Sequence, residues 1–357
     1  MQRVIRGWQR SSVLAAFFLL AAPSLAPASA SSTQSHTFTT IAISGEQFSS
    51  LSDPAINNPG TVAFRAFLPT FASGIFTGLG GPVTTIADST GPFSSFGDPA
   101  INAAGEVAFR ASLDTSEDTI VKSKNDAFVT IAREDDQFFF FGDADVNAPG
   151  TVAFLGVGTP TGIFAGDGGP IESLADTDGP FSFFGPPSIN NQGTVAFFAG
   201  LDTFEEGIFT SRGGAITTIA DSAGPFAFFF DTPAINDEGQ VAFAAGLDDG
   251  RRGIFIGEGG PVTTVADSAG PFRFFDDPAI NNAGQVAFSA TLDDGRRGIF
   301  TGPDPVADKV IVRGDELAGS TVVFAFVTSK GLNEDGQIAF FARLADGREG
   351  IFRADPN

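Results

Sequence analysis

Residues 277–300 read DPAINNAGQVAFSATLDDGRRGIF, and this stretch decides the fold. An Asn-x-x-Gly signal, Asn281 to Gly284, precedes an alternating apolar run, a polar glycine-containing loop and a second short apolar run. Asn-x-x-Gly fits a type I turn in which the Asn side chain bonds local backbone and the glycine takes the positive φ that follows. Such a turn closes a hairpin. The next strand sets Val286, Phe288, Ala290 and Leu292 on one face and Gln285, Ala287, Ser289 and Thr291 on the other. One face is bulky and the other small, so neighbouring sheets can interlock.

The signal recurs at Asn57, Asn102, Asn147, Asn190, Asn236, Asn281 and Asn333, with intervals of 45, 45, 43, 46, 45 and 52 residues. A fixed period of roughly 20–50 residues marks a solenoid, propeller or array. Most units also carry Pro-Ala-Ile or a variant before the turn, Gly-Ile-Phe after the loop, and a fourth run such as Val262 to Val265. Four strands per unit make the blade of a β-propeller. Unit two is irregular, with Asp118-Thr119-Ile120-Val121 in place of Gly-Ile-Phe, and the extra residues of the longest interval fall around Glu316 to Phe326.

The two ends complement each other. Phe38-Thr39-Thr40-Ile41-Ala42 matches the fourth run Val83-Thr84-Thr85-Ile86-Ala87, and the seventh unit stops after Gly350-Ile351-Phe352 without a fourth run of its own. Pairing residues 37–43 with 350–354 closes a ring and leaves no unit with an open edge. An open solenoid would want polar caps instead. The expected fold is therefore all-β: a seven-bladed β-propeller of four-stranded blades over residues 31–357, closed by an N-terminal strand that completes the last blade.

Residues 1–30 read differently. Arg3, Arg6 and Arg10 precede the apolar run Val13 to Ala22, and Ala28-Ser29-Ala30 offers a small-residue cleavage site. This is the pattern of a secretory signal peptide, and the run is too short to span a bilayer. The expected location is outside the cytoplasm, secreted or periplasmic, with no membrane insertion after cleavage. Removal leaves 17 basic and 42 acidic side chains, a net charge of −25, which disfavours nucleic acid and anionic membrane as partners. The chain has no Cys, and its single His is His36, so thiolate chemistry and a histidine zinc site are excluded. A Ser-His-Asp triad would need His36 itself.

The repeated NxxGxVAF resembles the bacterial secreted tandem-repeat proteins named for an NxxGxxAF motif. The likeness covers nearly all of residues 38–354, and the motif is specific because it occurs seven times. That resemblance implies export and brings no established activity. The chain departs from the family in ending at Asp355-Pro356-Asn357 without an apolar anchor. More distantly, PAIN-x-x-G-x-VAF is similar to the repeats of the Tol-system periplasmic propeller. This likeness implies that Pro-Ala-Ile is the innermost strand and Val-Thr-Thr the outermost.

With that order, the Asn-x-x-Gly turns lie on one face. The connections between units and the Leu-Asp-Asp-Gly-Arg-Arg loops lie on the other, which is the expected ligand face because function usually sits on loops held by a rigid scaffold. Asp53, Asp98 and Asp277 recur just before Pro-Ala-Ile, with Asp143, Asp145 and Asp231 nearby. Equivalent positions ring a propeller axis, where crowded carboxylates are relieved by protonation or by a hard cation. Calcium on Asp53, Asp98 and Asp277 is one expectation, and turn-capping aspartates are the other. Asp145, Asp231, Arg252 and Arg297 complete the candidate ligand-binding set, the arginines as grips for a carboxylate or sulfate or as partners in surface ion pairs.

Phenylalanines crowd the connections, at Phe138 to Phe141, Phe228 to Phe230 and Phe272 to Phe275. They read mainly as core, although consecutive residues cannot all point inward. With a symmetric repeat and no distinct catalytic cluster, the preferred reading is a monomeric, non-catalytic binding or scaffold module for a protein or surface polysaccharide. A carboxylate-dependent glycoside hydrolase on the same scaffold is the alternative, since acids are plentiful.

Overall fold

A computed structural model describes residues 35–357 apart from Asp126, Asp136 and Asp231; the signal-peptide reading of residues 1–30 lies outside them. The described residues form strands and no helix. Seven antiparallel sheets succeed one another along the chain, one per repeat, and make the blades of a propeller. Blade 6 is representative. Its inner strand comes in two pieces, Phe272–Phe275 and Ala279–Ile280, both paired with Val286–Leu292, and Arg297–Phe300 and Lys309–Val312 follow outward.

This corrects one expectation. The stretch from Asp267 to Asp277 is not simply a connection, because it contains the upper half of the inner strand. Phe272 and Phe275 are three apart, a spacing that a regular strand sends to opposite faces. A bulge between Phe272 and Phe274 turns both inward, and both are buried. Phe274 is left outside, and the pattern repeats at Phe138, Phe141 and the exposed Phe139 and Phe140. The two pieces are separated at Pro278, which has no N–H to give the ladder.

Ring closure follows the expected register. His36–Ile43 is the outermost strand of blade 7, with Phe38 opposite Ala354, Thr39 opposite Arg353 and Ile43 opposite Gly350. Phe38 packs against the cluster between blades 6 and 7, whereas Ile41 belongs to the cluster between blades 7 and 1. All seven blade junctions are filled in this way. Val286 and Phe288, the bulky face of blade 6, press on Ala242 and Ala244, the small face of blade 5. Fully burying a side chain such as Phe288 is worth about 1.5–3 kcal/mol.

The repeated asparagines do more than turn the chain. Asn57 Oδ1 accepts the Thr61 N–H of its own turn, as the local reading requires. Its Nδ2 also donates to the backbone carbonyl of Asn102 in the next blade. The relation continues through Asn147, Asn190, Asn236, Asn281 and Asn333 and returns to Asn57, each bond 3.0–3.1 Å long. Seven buried amides thus form a closed belt around the axis. Each satisfies a carbonyl that water cannot reach.

Candidate functional site

On the far side of the asparagine belt the channel opens into a cavity of about 300 Å³, at the height where the inner strands break. Asp53, Asp98, Asp143, Asp276, Asp277, Arg297, Thr328 and Lys330 line it, with prolines between them. The Asp-Pro pair is what delivers a carboxylate here. Proline interrupts the ladder and leaves the preceding residue free to face the axis.

One segment breaks the symmetry. In blade 7, Val327 pairs with Phe340 and Leu332 with Ile338, so Thr328 to Gly331 are extruded from the inner strand. Lys330 takes the place that proline holds in blades 1, 2, 4, 5 and 6. Its Nζ reaches blade 3 and donates to the Ala144 carbonyl at 2.8 Å, and Thr328 Oγ1 donates to the Pro54 carbonyl of blade 1 at 2.8 Å. These bonds tie three blades together across the axis.

Arg65 organises one wall. Its Nη2 lies 3.5 Å from Asp53 and 3.4 Å from Asp98, while Nε donates to Ser52 Oγ and Nη1 to the Phe96 carbonyl. Even so, the Asp98 carboxyl is pushed up to about 7, first by burial and then by the carboxylates of Asp53 and Asp143, with Arg65 opposing. On the other wall Arg297 forms an ion pair with Asp276 and lies over the Phe324 ring at 4.8 Å. Burial raises the Asp276 carboxyl despite that partner.

Of the residues singled out in the sequence, the fold brings Asp53, Asp98, Asp143, Asp277 and Arg297 to this mouth. Asp145 is not in its lining. Its carboxylate sits against blade 4, accepting the N–H groups of Ile189 and Val146; burial raises it and the Lys330 charge works the other way. Arg252 also lies apart, its guanidinium 5.3 Å from the Phe228 ring and 5.5 Å from that of Phe274. Asp231 lies outside the described residues.

The arginines before it and before Arg297 serve their own loops. Arg251 pairs with Asp249 at 2.8 Å and Asp267 at 2.6 Å, and Arg296 pairs with Asp294 at 2.8 Å. Among the described residues no three carboxylate or imidazole groups converge as a metal-binding set. Between Asp53 and Asp98 the guanidinium of Arg65 already supplies the positive charge. His36 stands opposite Pro356 in the outermost strand of blade 7, away from this innermost-strand cavity.

Sequence reading missed Arg65, Asp276, Thr328 and Lys330. Lys330 carried a signal, because it stands where blades 1, 2, 4, 5 and 6 have proline. Arg65 carried a weaker one, as a charge among the apolar residues of VAFRAF.

Fold and site together define a closed seven-bladed β-propeller with an acidic channel mouth. Residues 28–171 match a family of unknown function, DUF7453. No curated protein matches the chain. Among solved structures, the β-propeller domain of the Trilobed protease from Pyrococcus furiosus is similar, at 12% identity and a TM-score of 0.56, covering 87% of this chain and 98% of that one. The acylaminoacyl peptidase of Pyrococcus horikoshii matches at 13% identity and 0.55, covering 83% of this chain and 49% of that one. A puromycin-hydrolyzing peptidase of Mycobacterium tuberculosis matches at 15% and 0.57, covering 85% and 50%. The chain thus spans about half the length of the last two. At these identities the likeness is one of fold alone.

Proposed function

We propose that this chain is an exported, non-catalytic binding or scaffold module that engages a protein or surface polysaccharide on the face bearing the inter-blade connections. The observation that carries the reading is the mouth itself. Carboxylates from blades 1, 2, 3 and 6 meet there above a segment, Thr328 to Lys330, that bonds across the axis. Such a mouth offers a seat for a ligand group, and its charge favours cationic or hydrogen-bond-donating groups.

A second reading draws on Asp98. A carboxyl held near 7 beside two further carboxyl groups is the kind of group that serves as a general acid in glycoside hydrolysis. The two are separated by incubating the chain with a panel of soluble polysaccharides and measuring retention and new reducing ends. The binding reading expects no new reducing ends from any of them. Reducing ends that appear with the wild-type chain and vanish in Asp98→Asn would overturn it in favour of the hydrolase.

A further inference from the structure

We propose that Phe71 and Phe204 are contact residues for a partner protein, two apolar knobs that the non-adjacent blades 1 and 4 present from one face, each to an apolar pocket with a basic rim. The loops joining the second and third strands of most blades share one geometry. In blades 5, 6 and 7 the N–H groups of Gly250, Gly295 and Gly347 donate to the carbonyls of Leu247, Leu292 and Leu344 at 2.9–3.0 Å. Their φ angles are 88°, 85° and 89°. Phe71 and Phe204 make the same bond to Leu68 and Leu201 at 3.0 Å, with φ of 65° and 72°.

Phenylalanine therefore occupies a backbone position that three sister loops fill with glycine. A bulky side chain at positive φ is strained, because its β-carbon crowds the following carbonyl. Packing does not offset the strain, since Phe71 is 95% exposed and Phe204 is 100% exposed. Two independent penalties, backbone strain and a wet aromatic ring, fall on the same two residues. Strain of this kind is a pointer toward function.

The occupant follows from chemistry and charge. Phenylalanine has no hydrogen-bonding tip; tyrosine is absent from the chain and its one tryptophan is Trp8. A surface built for sugars would use the polar handle of Tyr or Trp, whereas a bare ring fits an apolar pocket on a protein. Phe67 and Phe183 are partly exposed in the strands beside these two loops and extend the apolar surface. Asp202 and Glu205 flank Phe204, the mouth adds its aspartates on the same face, and the whole chain carries a net charge of −22. Lysines and arginines around the pocket complement that field, and an anionic membrane opposes it.

The inference rests on the loop face being the binding face, so its test must tell the two apart. A random dodecapeptide library displayed on phage is panned against the purified chain. Affinities of the recovered peptides are measured for wild type, for the double variant Phe71→Gly with Phe204→Gly, and for Asp98→Asn. The expected peptides combine apolar residues with Lys or Arg, and the double variant weakens them about tenfold or more. Its melting temperature is unchanged or higher, because glycine suits the positive φ.

Peptides indifferent to the double variant, a double variant that melts lower, or a library that yields no binder would each overturn the assignment. So would retention on anionic vesicles or soluble polysaccharide that depends on the two phenylalanines. If binding falls with Asp98→Asn and not with the double variant, the face stands and the phenylalanines lose their role. If neither change matters, both readings fail.

Discussion

Asn333 Nδ2 donates to the Asn57 carbonyl at 3.0 Å, across 276 residues of sequence, and closes the hydrogen-bonded belt that the other six asparagines carry from blade to blade. The propeller is thus locked twice, near its axis by this bond and at its rim by the strand His36–Ile43. The inner lock ties backbone to side chain; the outer one adds a full ladder.

The belt predicts a sharp contrast between neighbours. Asn190→Ala deletes the buried donor to the Asn236 carbonyl and the acceptor of half-buried hydrogen bonds from the Gln192 and Thr194 N–H groups. Urea unfolding should show a loss of about 2–4 kcal/mol for the three hydrogen bonds, although the Asn236 carbonyl keeps the Gly239 N–H. The adjacent exposed Asn191→Ala should lose roughly 1 kcal/mol or less. Equal losses at the two positions would remove the belt as a source of stability.

Closure at the rim is tested by truncation. Deleting residues 36–44 removes the buried Ile41, worth about 1.5–3 kcal/mol, and the half-buried Phe38, worth less, from two different blade junctions, and bares an apolar edge. The truncated chain should melt lower and aggregate. Deleting residues 31–35 should leave the melting temperature nearly where it was.

The mouth makes stability depend on pH in an unusual direction. Asp98 titrates at about 7 in the folded chain and in the ordinary carboxylate range when unfolded, so the native state holds the proton more tightly. Stability from this group is present in full below about pH 4 and is lost as pH rises toward 7. Asp98→Asn should remove that dependence and stabilise the chain near neutrality by about 1–2 kcal/mol, after allowing for solvent screening. Melting curves of both proteins from acid to neutral pH provide the check; parallel curves would refute it.

Lys330→Met tests the bridge across the axis. It removes the donor to the Ala144 carbonyl and the charge that opposes the rise of Asp145. A loss of about 1–3 kcal/mol is expected, and lowering the pH should recover part of it as Asp145 takes up a proton. A variant as stable as wild type at neutral pH would show that the bridge contributes nothing.

Residue order alone settled the blade count, the four strands, the bulky-against-small packing and the strand that closes the ring. Those features are periodic, and period is a property that sequence records directly. It also placed Asp53, Asp98 and Asp277 near the channel, because equivalent positions of a ring must lie at equal distance from its axis. What it left open depended on bonds between distant segments. The amide of Asn57 looked like a turn former because its local donor, the Thr61 N–H, is four residues away, while its second partner, the Asn102 carbonyl, lies 45 residues on. Phe272 and Phe275 concealed a strand because a bulge changes which side chains share a face. Lys330 was one substitution in a repeat until the extruded segment carried its ammonium to Ala144, 186 residues away. Asp145 and Arg252 illustrate the converse: Asp145 turns its carboxylate to the Ile189 N–H of blade 4, and Arg252, at the same repeat position as Arg297, lies over Phe228 and Phe274 outside the mouth, because side chains that differ from blade to blade give equivalent positions different partners.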